Sequence, residues 1–341
     1  MKKNYFILLL ISFGSINLAN AQQKVALQSN GTTLVFGGAN AFVNAYTAST
    51  NGDTLYLPGG TIPYPPTINK GLVIIGAGHY PDSTLATGKT VLTGNLTITQ
   101  DADKLWLEGI EITGNITFAN NSKVDSVTIK RCKFNDLNYQ GTAVTPCTNN
   151  NIIQNIIIGS VSLTNATSSL LSNNVINSII VNANNIGISN NILLYSMVGY
   201  TPLFNNVDDC FISNNIIFRT YGGPTYFHTS SDLNTFSNNI FALVPAVGNN
   251  TFTNNYNTVD LSTVFVNQLG TEFSYNQNYH LVSPATYVGS DSTQVGIYGG
   301  LYPFKDGAVP QNPHIQTKSI STQTNTNGDL NIQIKVRAQN E

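Results

Sequence analysis

The stretch Ser172-Asn173-Asn174-Val175-Ile176 recurs three more times in the middle of this 341-residue chain. The further copies are Ser189–Leu193 (SNNIL), Ser213–Ile217 (SNNII) and Ser237–Phe241 (SNNIF), and a weaker one follows at Thr253–Tyr256 (TNNY). Successive copies begin 17, 24, 24 and 16 residues apart. A repeat of this length indicates a solenoid, in which each unit buries its apolar face only by stacking on its neighbours.

Around each copy, apolar residues alternate with polar ones, as in Ile186-Gly187-Ile188-Ser189. A period of two predicts strands with one buried face and excludes an amphipathic helical repeat. The same alternation of apolar and polar residues extends upstream of the repeat. It is present in Leu92–Thr99, Leu105–Ile112, Ile116–Phe118, Val124–Ile129 and Asn151–Ile158.

The asparagine pair has a mechanical role in this pattern. Asn adopts the left-handed backbone conformation more readily than any residue except Gly, so it can turn a corner between two strands in very few residues. Stacked corners place the Asn amides in register. Each amide then donates to one neighbouring coil and accepts from the other, which predicts an asparagine ladder.

Both ends of the repeat carry capping signals. Ala39–Ala48 (ANAFVNAYTA) is predicted to form a short amphipathic helix over the first coil, because a solenoid needs cover for its open end. At the other end, Thr317–Glu341 is interpreted as two polar strands around Asn327-Gly328-Asp329, a hairpin signal. This hairpin is expected to be a cap or appendage, with a sorting tag as the alternative.

Two segments carry a resemblance to a known family. Residues 39–60, followed by Ile68-Asn69-Lys70-Gly71-Leu72 and Val73–Gly78, resemble the N-terminal entry of pectin-lyase-like right-handed β-helix proteins. Residues 279–285 and Gly296–Gly300 resemble the closing coil of secreted bacterial β-helix proteins, although Gln294 stands where that family usually has Asp. The resemblance covers about residues 38 to 303. It implies the fold, while the superfamily includes lyases, hydrolases, adhesins and proteins of uncharacterised role.

The fold prediction is an all-β chain with a single-stranded right-handed parallel β-helix of about ten coils, running from about Leu55 to about Val295. Residues 1–21 are predicted to be a signal peptide, 22–54 an N-terminal cap with a short helix, 55–303 the β-helix, and 304–341 the C-terminal cap or appendage.

The first residues are typical of an export signal. Lys2 and Lys3 precede the short apolar run Tyr5–Phe13, and Ala19-Asn20-Ala21 gives the small-x-small pattern for cleavage. The run is shorter than the roughly 20 residues that span a bilayer. We therefore expect a secreted, periplasmic or cell-surface protein without an integral membrane segment; an uncleaved anchor is the alternative.

The composition limits the classes of partner. Charged residues are 9% of the chain and the net charge is −2, so no basic field for nucleic acid exists. The densest basic stretch, Lys130-Arg131-x-Lys133, is interpreted as a solvated strand edge. An uncharged surface rich in amides and hydroxyls suits carbohydrate and suits plain solubility equally well.

Cys132, Cys147 and Cys210 are the three cysteines of the chain. An oxidising compartment would permit a short disulfide loop between Cys132 and Cys147. The alternative, which we favour, is three thiols packed as small apolar groups inside the helix.

If the protein is an enzyme, this fold most often cleaves acidic polysaccharides. A hydrolase needs two or three carboxylates on adjacent coils, and the candidates are Asp208, Asp209 and, about one coil later, Asp232. We interpret the Asp208-Asp209 pair as a turn, because neighbours on a strand point to opposite faces.

A lyase needs a cation for the uronate carboxylate and a base for the α-proton. The catalytic candidates are Arg219, Tyr221, Tyr226 and His228, which surround a Gly-Gly-Pro interruption of the coil. Lys130 and Arg131 are candidates for added positive charge on the same face. No cofactor is expected; Ca²⁺ belongs to the lyase alternative only, with Asp208 and Asp209 as its candidate ligands.

A binding function requires less chemistry, since exposed aromatic rings can pack on sugar rings while Asn and Thr satisfy sugar hydroxyls. The candidates for carbohydrate binding are Tyr195, Tyr200, Tyr221 and Tyr226, in an aromatic stretch that also includes Phe218 and Phe227. About half of that stretch is expected to lie in the core. We therefore expect an exported, non-catalytic, monomeric β-helix that binds polysaccharide, with a polysaccharide lyase as the alternative.

Overall fold

A computed structural model describes residues 23–195, 201–218 and 228–337 of the chain. Three sheets of parallel strands, here named A, B and C in the order in which each coil visits them, form the three sides of a β-helix. The parallel strands of sheet A are Thr54–Tyr56, Val73–Ile75, Trp106–Glu108, Thr128–Lys130, Asn151–Ile153, Ser169–Ser172, Ile186–Ser189, Phe211–Ser213, Thr235–Ser237 and Thr251–Thr253.

Sheets B and C complete the coils. Sheet B consists of Gly60–Thr61, Thr90–Leu92, Glu111–Ile112, Lys133–Phe134, Ile156–Ile157, Val175–Ile176, Ile192–Leu193, Ile216–Ile217 and Ile240–Phe241. Sheet C consists of Thr67–Ile68, Leu96–Ile98, Ile116–Phe118, Leu137–Tyr139, Val161–Leu163, Ile180–Asn184, Phe204–Asp208 and His228–Thr229. Between sheets C and A, Cys147–Thr148 pairs in parallel with Ala166–Thr167.

The predicted parallel β-helix is confirmed. Eight coils contribute a strand to all three sheets, a ninth contributes to sheets A and B, and Thr251–Thr253 adds a last strand to sheet A. The complete coils are thus about eight, rather than about ten. The expectation that coils continue to Val295 is wrong, because residues after Thr253 form no further parallel strand within the described ranges.

The core lies inside the coils. Each strand points alternate side chains inward, and the parallel register places like residues on one another, as in Leu107, Ile129, Ile152 and Leu171 of sheet A. All four are at most 2% exposed. Burial of each such side chain contributes about 1.5–3 kcal/mol, which makes this stack of aliphatic side chains the main stabilising element.

One residue turns the chain from sheet A to sheet B in most coils. In each copy of the repeat its first Asn does so, and Asn173, Asn190, Asn214 and Asn238 have φ between 53° and 59°. Arg131 (φ 51°) and Gln154 (φ 59°) take the same place in earlier coils. The predicted role of the first Asn is therefore confirmed, and the sequence pattern did not identify Arg131 and Gln154 as its equivalents.

The second Asn of each pair forms the predicted ladder. The ladder runs through Asn155, Asn174, Asn191, Asn215, Asn239 and Asn255. Each Nδ2 donates to the next Oδ1 at 3.0 Å, and the backbone N–H of each residue donates to the same oxygen at 2.8–2.9 Å. Each Nδ2 also donates to a backbone carbonyl of the preceding coil, for example Asn191 to Leu171 at 2.9 Å. The amide of each interior rung is thus satisfied in a dry interior.

The N-terminal cap contains the predicted helix and an additional hairpin. The helix, Ala41–Ala48, buries Ala41, Phe42, Ala45 and Tyr46. Lys70, which follows the first strand of sheet C, binds the C-terminal end of this helix. Its Nζ donates to the carbonyls of Tyr46 and Ser49, both at 2.7 Å. Before the helix, Lys24–Ser29 and Thr32–Gly37 form an antiparallel hairpin that extends sheet A through Thr54–Tyr56.

After the last coil, the chain returns along the outside of the solenoid. Phe265–Asn267 pairs antiparallel with Asn278–Leu281, preceded by the 3₁₀ turn Leu261–Thr263. Residues 288–311, here called the strap, then follow the corner between sheets A and B back toward the first coils. A second 3₁₀ turn, Asp82–Thr84, lies in the loop that the strap reaches.

The corner residues hold the strap with their side chains. Asn173 Nδ2 donates to the carbonyls of Ile297 and Gly299, at 2.8 and 2.7 Å. Further down, Gln154 Nε2 donates to the carbonyls of Tyr302 and Pro303, and Arg131 Nη1 to that of Val309 at 2.9 Å. In the next coil the corner residue is Gly109, where strap residue Pro310 leaves no room for a side chain. The corner column thus both turns the chain and binds the strap.

The returning chain also explains why sheet B is apolar on both faces from the fifth coil onward. Ile156, Val175, Ile192, Ile216 and Ile240 stack on its outer face and are at most 1% exposed. They pack in a second core with side chains of the returning chain, namely Leu261, Val264, Phe265, Tyr279, Leu281, Val295, Ile297, Phe304 and Ala308. The two adjacent apolar residues after each Asn pair are the sequence signal for this second core.

His314–Ile320 and Ile332–Arg337 form the predicted C-terminal hairpin, which begins three residues earlier than Thr317. Cys132, Cys147 and Cys210 are free and buried, so the favoured alternative to a Cys132–Cys147 disulfide is confirmed. Within the described ranges, no helix has both the length and the apolar character needed to cross a bilayer.

Replacing one rung of the ladder tests its contribution to stability. In Asn191→Ala, the Asn174 amide and the Leu171 carbonyl lose their buried partners, so we expect the free energy of unfolding to fall by about 3 kcal/mol or more. Asn184→Ala removes an exposed amide without such partners and serves as the control. Urea unfolding curves measure both. Equal midpoints for the two variants would contradict the role of the ladder.

Arg131 and Glu108 form a buried ion pair, Nη1 to Oε1 at 3.2 Å, with side chains 1% and 3% exposed. Arg131→Met leaves the carboxylate buried without its cation and is expected to cost about 3–5 kcal/mol. The double variant Arg131→Met/Glu108→Gln removes both charges and is expected to recover part of this loss. Denaturant titration of the wild type, the two single variants and the double variant measures the coupling energy. A loss of stability in the double variant equal to the sum of the two single losses would refute the coupling.

Candidate functional site

Tyr195, a candidate for carbohydrate binding, belongs to the core. It is 4% exposed, and its hydroxyl donates to the carbonyl of Thr201 at 2.6 Å. Phe218 is likewise buried, stacked on Phe265 with ring centroids 5.4 Å apart. Neither ring offers a free face to a sugar, in agreement with the expectation that part of the aromatic stretch is core.

The structure does not describe most of the other aromatic and catalytic candidates. Tyr200, Arg219, Tyr221 and Tyr226 fall outside the described residues. Tyr200 precedes the sheet C strand Phe204–Asp208, and the other three precede the next strand of that sheet, His228–Thr229. Phe204 pairs in register with His228, so both segments enter sheet C in neighbouring coils.

The acidic candidates form a turn, as predicted. Asp209 has φ 53° and turns the chain from sheet C toward sheet A. Asp208 Oδ1 accepts a hydrogen bond from the backbone N–H of Asp232, one coil on, at 2.8 Å. The Asp208 carboxylate and the Asp209 backbone are thus part of the coil geometry. Within the described ranges no group of three His, Cys, Asp or Glu side chains could hold a metal ion.

The basic stretch does not form the solvated edge that the sequence pattern predicted. Lys130 (5% exposed) points outward from sheet A and Arg131 (1%) occupies the A–B corner under the strap. Lys133 points outward from sheet B. The three neighbouring cations therefore lie on sheet A, at the A–B corner and on sheet B. Arg219, Tyr221 and Tyr226 lie outside the described residues, so the expectation that Lys130 and Arg131 add charge to the face of the catalytic candidates stays a prediction.

The outer face of sheet C carries an uncharged column of side chains, one per coil, here called the polar column. It is in continuous parallel register and consists of Thr67, Thr97, Thr117, Asn138, Ser162, Val181 and Asn205. Its residues are partly or fully exposed. Adjacent positions are about 4.8 Å apart, the spacing of neighbouring strands.

The polar groups of this column are available to a ligand. In the part of the chain that the structure describes, the side chains of Thr97, Thr117 and Asn138 make no hydrogen bond, and none of the seven column residues carries a charge. Ser162 Oγ contacts Thr164 Oγ1 at 3.1 Å. The column can therefore donate to and accept from hydroxyl groups, but it cannot neutralise a carboxylate.

Sheet A presents an exposed aromatic ring in its later coils, Phe211, which sequence reasoning missed. Phe211 lies on its outer face and is 63% exposed. Its column neighbours are Gly187 and Thr235, and Ser189, Ser213 and Ser237 line the next column. Alternation within Phe211-Ile212-Ser213 identifies Phe211 as the outward residue once Ile212 is placed inside.

A charged and aromatic cluster lies on the outer face of sheet B in the second to fourth coils. Glu111 pairs with Lys89 and with Lys133, the latter at 3.2 Å, and Lys133 Nζ lies 5.1 Å from the centre of the Tyr275 ring. Tyr275 Oη lies 3.2 Å from His79 Nδ1 and donates to the His79 carbonyl. His79 Nε2 is buried without a hydrogen-bond partner.

Burial keeps this histidine neutral. Desolvation, followed by the charges of Lys133 and Lys89, lowers the pKa of His79 from 6.5 to about 3. The same desolvation raises the pKa of Tyr275 to a value well above its usual range. A fully buried imidazole of this kind cannot exchange protons with a bound polysaccharide; the cluster instead joins the outer face of sheet B to Tyr275 of the returning chain.

Comparisons with protein-family models, curated proteins and solved structures found no match to this chain.

The buried imidazole predicts a specific acid sensitivity. Because the folded pKa of His79 lies below the unfolded value, its contribution is complete above about pH 6.5 and is lost as the pH falls toward 3. Between about pH 6.5 and pH 4.5, we expect the wild type to lose about 2 kcal/mol more stability than His79→Leu. Tyr275→Phe leaves the imidazole buried and should retain the wild-type slope. Identical pH profiles for the wild type and His79→Leu would refute this assignment.

Proposed function

We propose that this protein is an exported, non-catalytic β-helix that binds neutral carbohydrate along the outer face of sheet C. The observation that carries the proposal is the polar column, which offers one uncharged hydrogen-bonding side chain in almost every coil from Thr67 to Asn205. The signal pattern ending at Ala21 supports export, and the parallel solenoid supports membership of the pectin-lyase-like superfamily.

The chemistry of the column favours neutral over acidic glycans. Hydroxyl and amide groups exchange hydrogen bonds with sugar hydroxyls, whereas a uronate carboxylate needs a cation. On this face the described residues supply none, so the positive charge for a lyase would have to come from Arg219 and its neighbours. Tyr200, Tyr221 and Tyr226 precede strands of this sheet and are proposed to supply the aromatic contacts at its later coils.

The experiment compares glycan binding by the mature chain with binding by variants of the column. Thr97→Val/Thr117→Val keeps the β-branched shape but removes two hydroxyls, each worth about 1 kcal/mol in a hydrogen bond, so the affinity for a neutral glycan should fall by a factor of about ten or more. Thr235→Val makes the same change on sheet A and should leave the affinity unchanged. A glycan array followed by calorimetry on the best ligand gives the measurement.

Three other outcomes would change the assignment. Loss of binding in Phe211→Ala alone would place the ligand on sheet A. Growth of unsaturated-uronate absorbance with an acidic polysaccharide, abolished in Tyr226→Phe/His228→Ala, would make the protein a lyase. Absence of binding to every neutral and acidic glycan would refute a carbohydrate function.

A further inference from the structure

Sheet A ends at the N-terminal side in an open edge strand, Thr32–Gly37. This strand pairs on one side with Lys24–Ser29, and within the described ranges no strand pairs with its other side. Its sequence, Thr-Thr-Leu-Val-Phe-Gly, has no charge and no proline, and its register with Lys24–Ser29 is unbroken. Leu34 is 49% exposed and Val35 64%.

Such an edge is a template for strand pairing. Natural sheets protect their edges with charges, prolines, bulges or short strands, and this six-residue strand uses none of these devices. Its free backbone groups are therefore available to another extended strand.

The hydrogen bonds already made identify which groups are free. Gly38 N–H donates to the Gln23 carbonyl at 3.2 Å, in the same register that pairs Lys24 with Gly37. Backbone groups alternate sides along a strand, so those of Leu34 and Phe36 also point toward the first strand. Those of Thr33, Val35 and Gly37 point outward.

We infer that this edge strand pairs antiparallel with its copy in a second molecule, about a two-fold axis at Val35. In this register Val35 opposes Val35, and Thr33 opposes Gly37. All these residues have outward backbone groups, so each pair can exchange both of its N–H···O=C hydrogen bonds. A two-fold axis at Leu34 instead would pair Thr33 with Val35 but would place Gly37 opposite Gly31 in the turn, so only two hydrogen-bonded pairs rather than three would form within the strand.

The side chains fit the same arrangement. Leu34 would lie opposite Phe36 of the second copy, on the face where Leu27 pairs with Leu34 and where Phe36 packs against the core. This contact would cover the exposed part of Leu34. The nearest charged residue is Lys24, which pairs with Gly37 at one end of the strand. In the dimer, the Lys24 ammonium groups of the two copies would be offset by four residues along the strand direction, about 14 Å. The pairing replaces the monomer expected from the sequence with a two-fold dimer and is independent of carbohydrate binding.

The experiment measures the mass of the mature chain by light scattering over a range of concentrations, together with cysteine cross-linking. We expect a dimer in which Val35→Cys forms an intermolecular disulfide, because opposed residues of a hydrogen-bonded pair lie about 5.5 Å apart at Cα, within disulfide range. Leu34→Cys is the matched control and should cross-link at least tenfold more slowly. The three native thiols are buried and do not compete.

A second pair of variants separates pairing from folding. Val35→Lys places two like charges opposite each other and should yield monomers, whereas Val35→Thr should remain dimeric; matching circular dichroism spectra show that both are folded. A wild-type monomer at all concentrations would overturn the inference, as would faster cross-linking through Leu34→Cys. Concentration-dependent growth into long assemblies would overturn the two-fold arrangement, because it would require the opposite edge, Thr251–Thr253.

Discussion

The structure depends on turning a strand through a sharp corner, coil after coil, without leaving a buried backbone group unpaired. In most coils a single residue with positive φ makes the turn from sheet A to sheet B, and from Gln154 onward the amide of the following Asn satisfies the groups that the turn exposes to the interior. Asparagine suits both positions of this corner. It tolerates the left-handed conformation, and its side chain presents a donor and an acceptor in the same spacing as the backbone. Regular stacking of the aliphatic core follows from this constraint.

The strap depends on the same corners. Residues that must adopt positive φ also carry the side chains that hold it, so the column changes from Asn to Gln and Arg where a longer reach is required. The strap in turn permits an apolar outer face on sheet B, which would otherwise be exposed. Among the described residues, none covers the polar column of sheet C in this way, and this difference between the faces underlies the functional proposal.

Much of the fold could be predicted because its signals are local. The period of two, the Asn pairs, the short helix at Ala41–Ala48 and the hairpin around Asn327-Gly328 each depend on neighbouring residues. The strap could not be predicted from such signals, since its partners are remote in sequence. Gln154 lies 148 residues before Tyr302, and nothing near Arg131 indicates a contact with Val309. The adjacent apolar residues of sheet B are a signal for the second core, but the same pattern also occurs at ordinary buried strand ends.

The candidate site was harder to predict for a related reason. Tyr195 and Phe218 sit in an aromatic-rich stretch, and only the register shows that they point inward, while Phe211 points outward. The polar column consists of Thr, Asn and Ser residues that are frequent throughout the chain. Their alignment across coils depends on the lengths of all the intervening turns. No single segment of the sequence specifies those lengths.

The strap also changes how the molecule can come apart. In a simple solenoid each coil contacts only its neighbours, so terminal coils fray independently and stability is nearly a sum over units. Here one segment touches corners from Asn238 near one end to Glu108 near the other. Fraying of either end must therefore release contacts shared with the middle, which couples the coils into a single cooperative unit. The same contacts span long sequence separations, so the strap can dock only after the coils beneath it have formed, as a late step of folding.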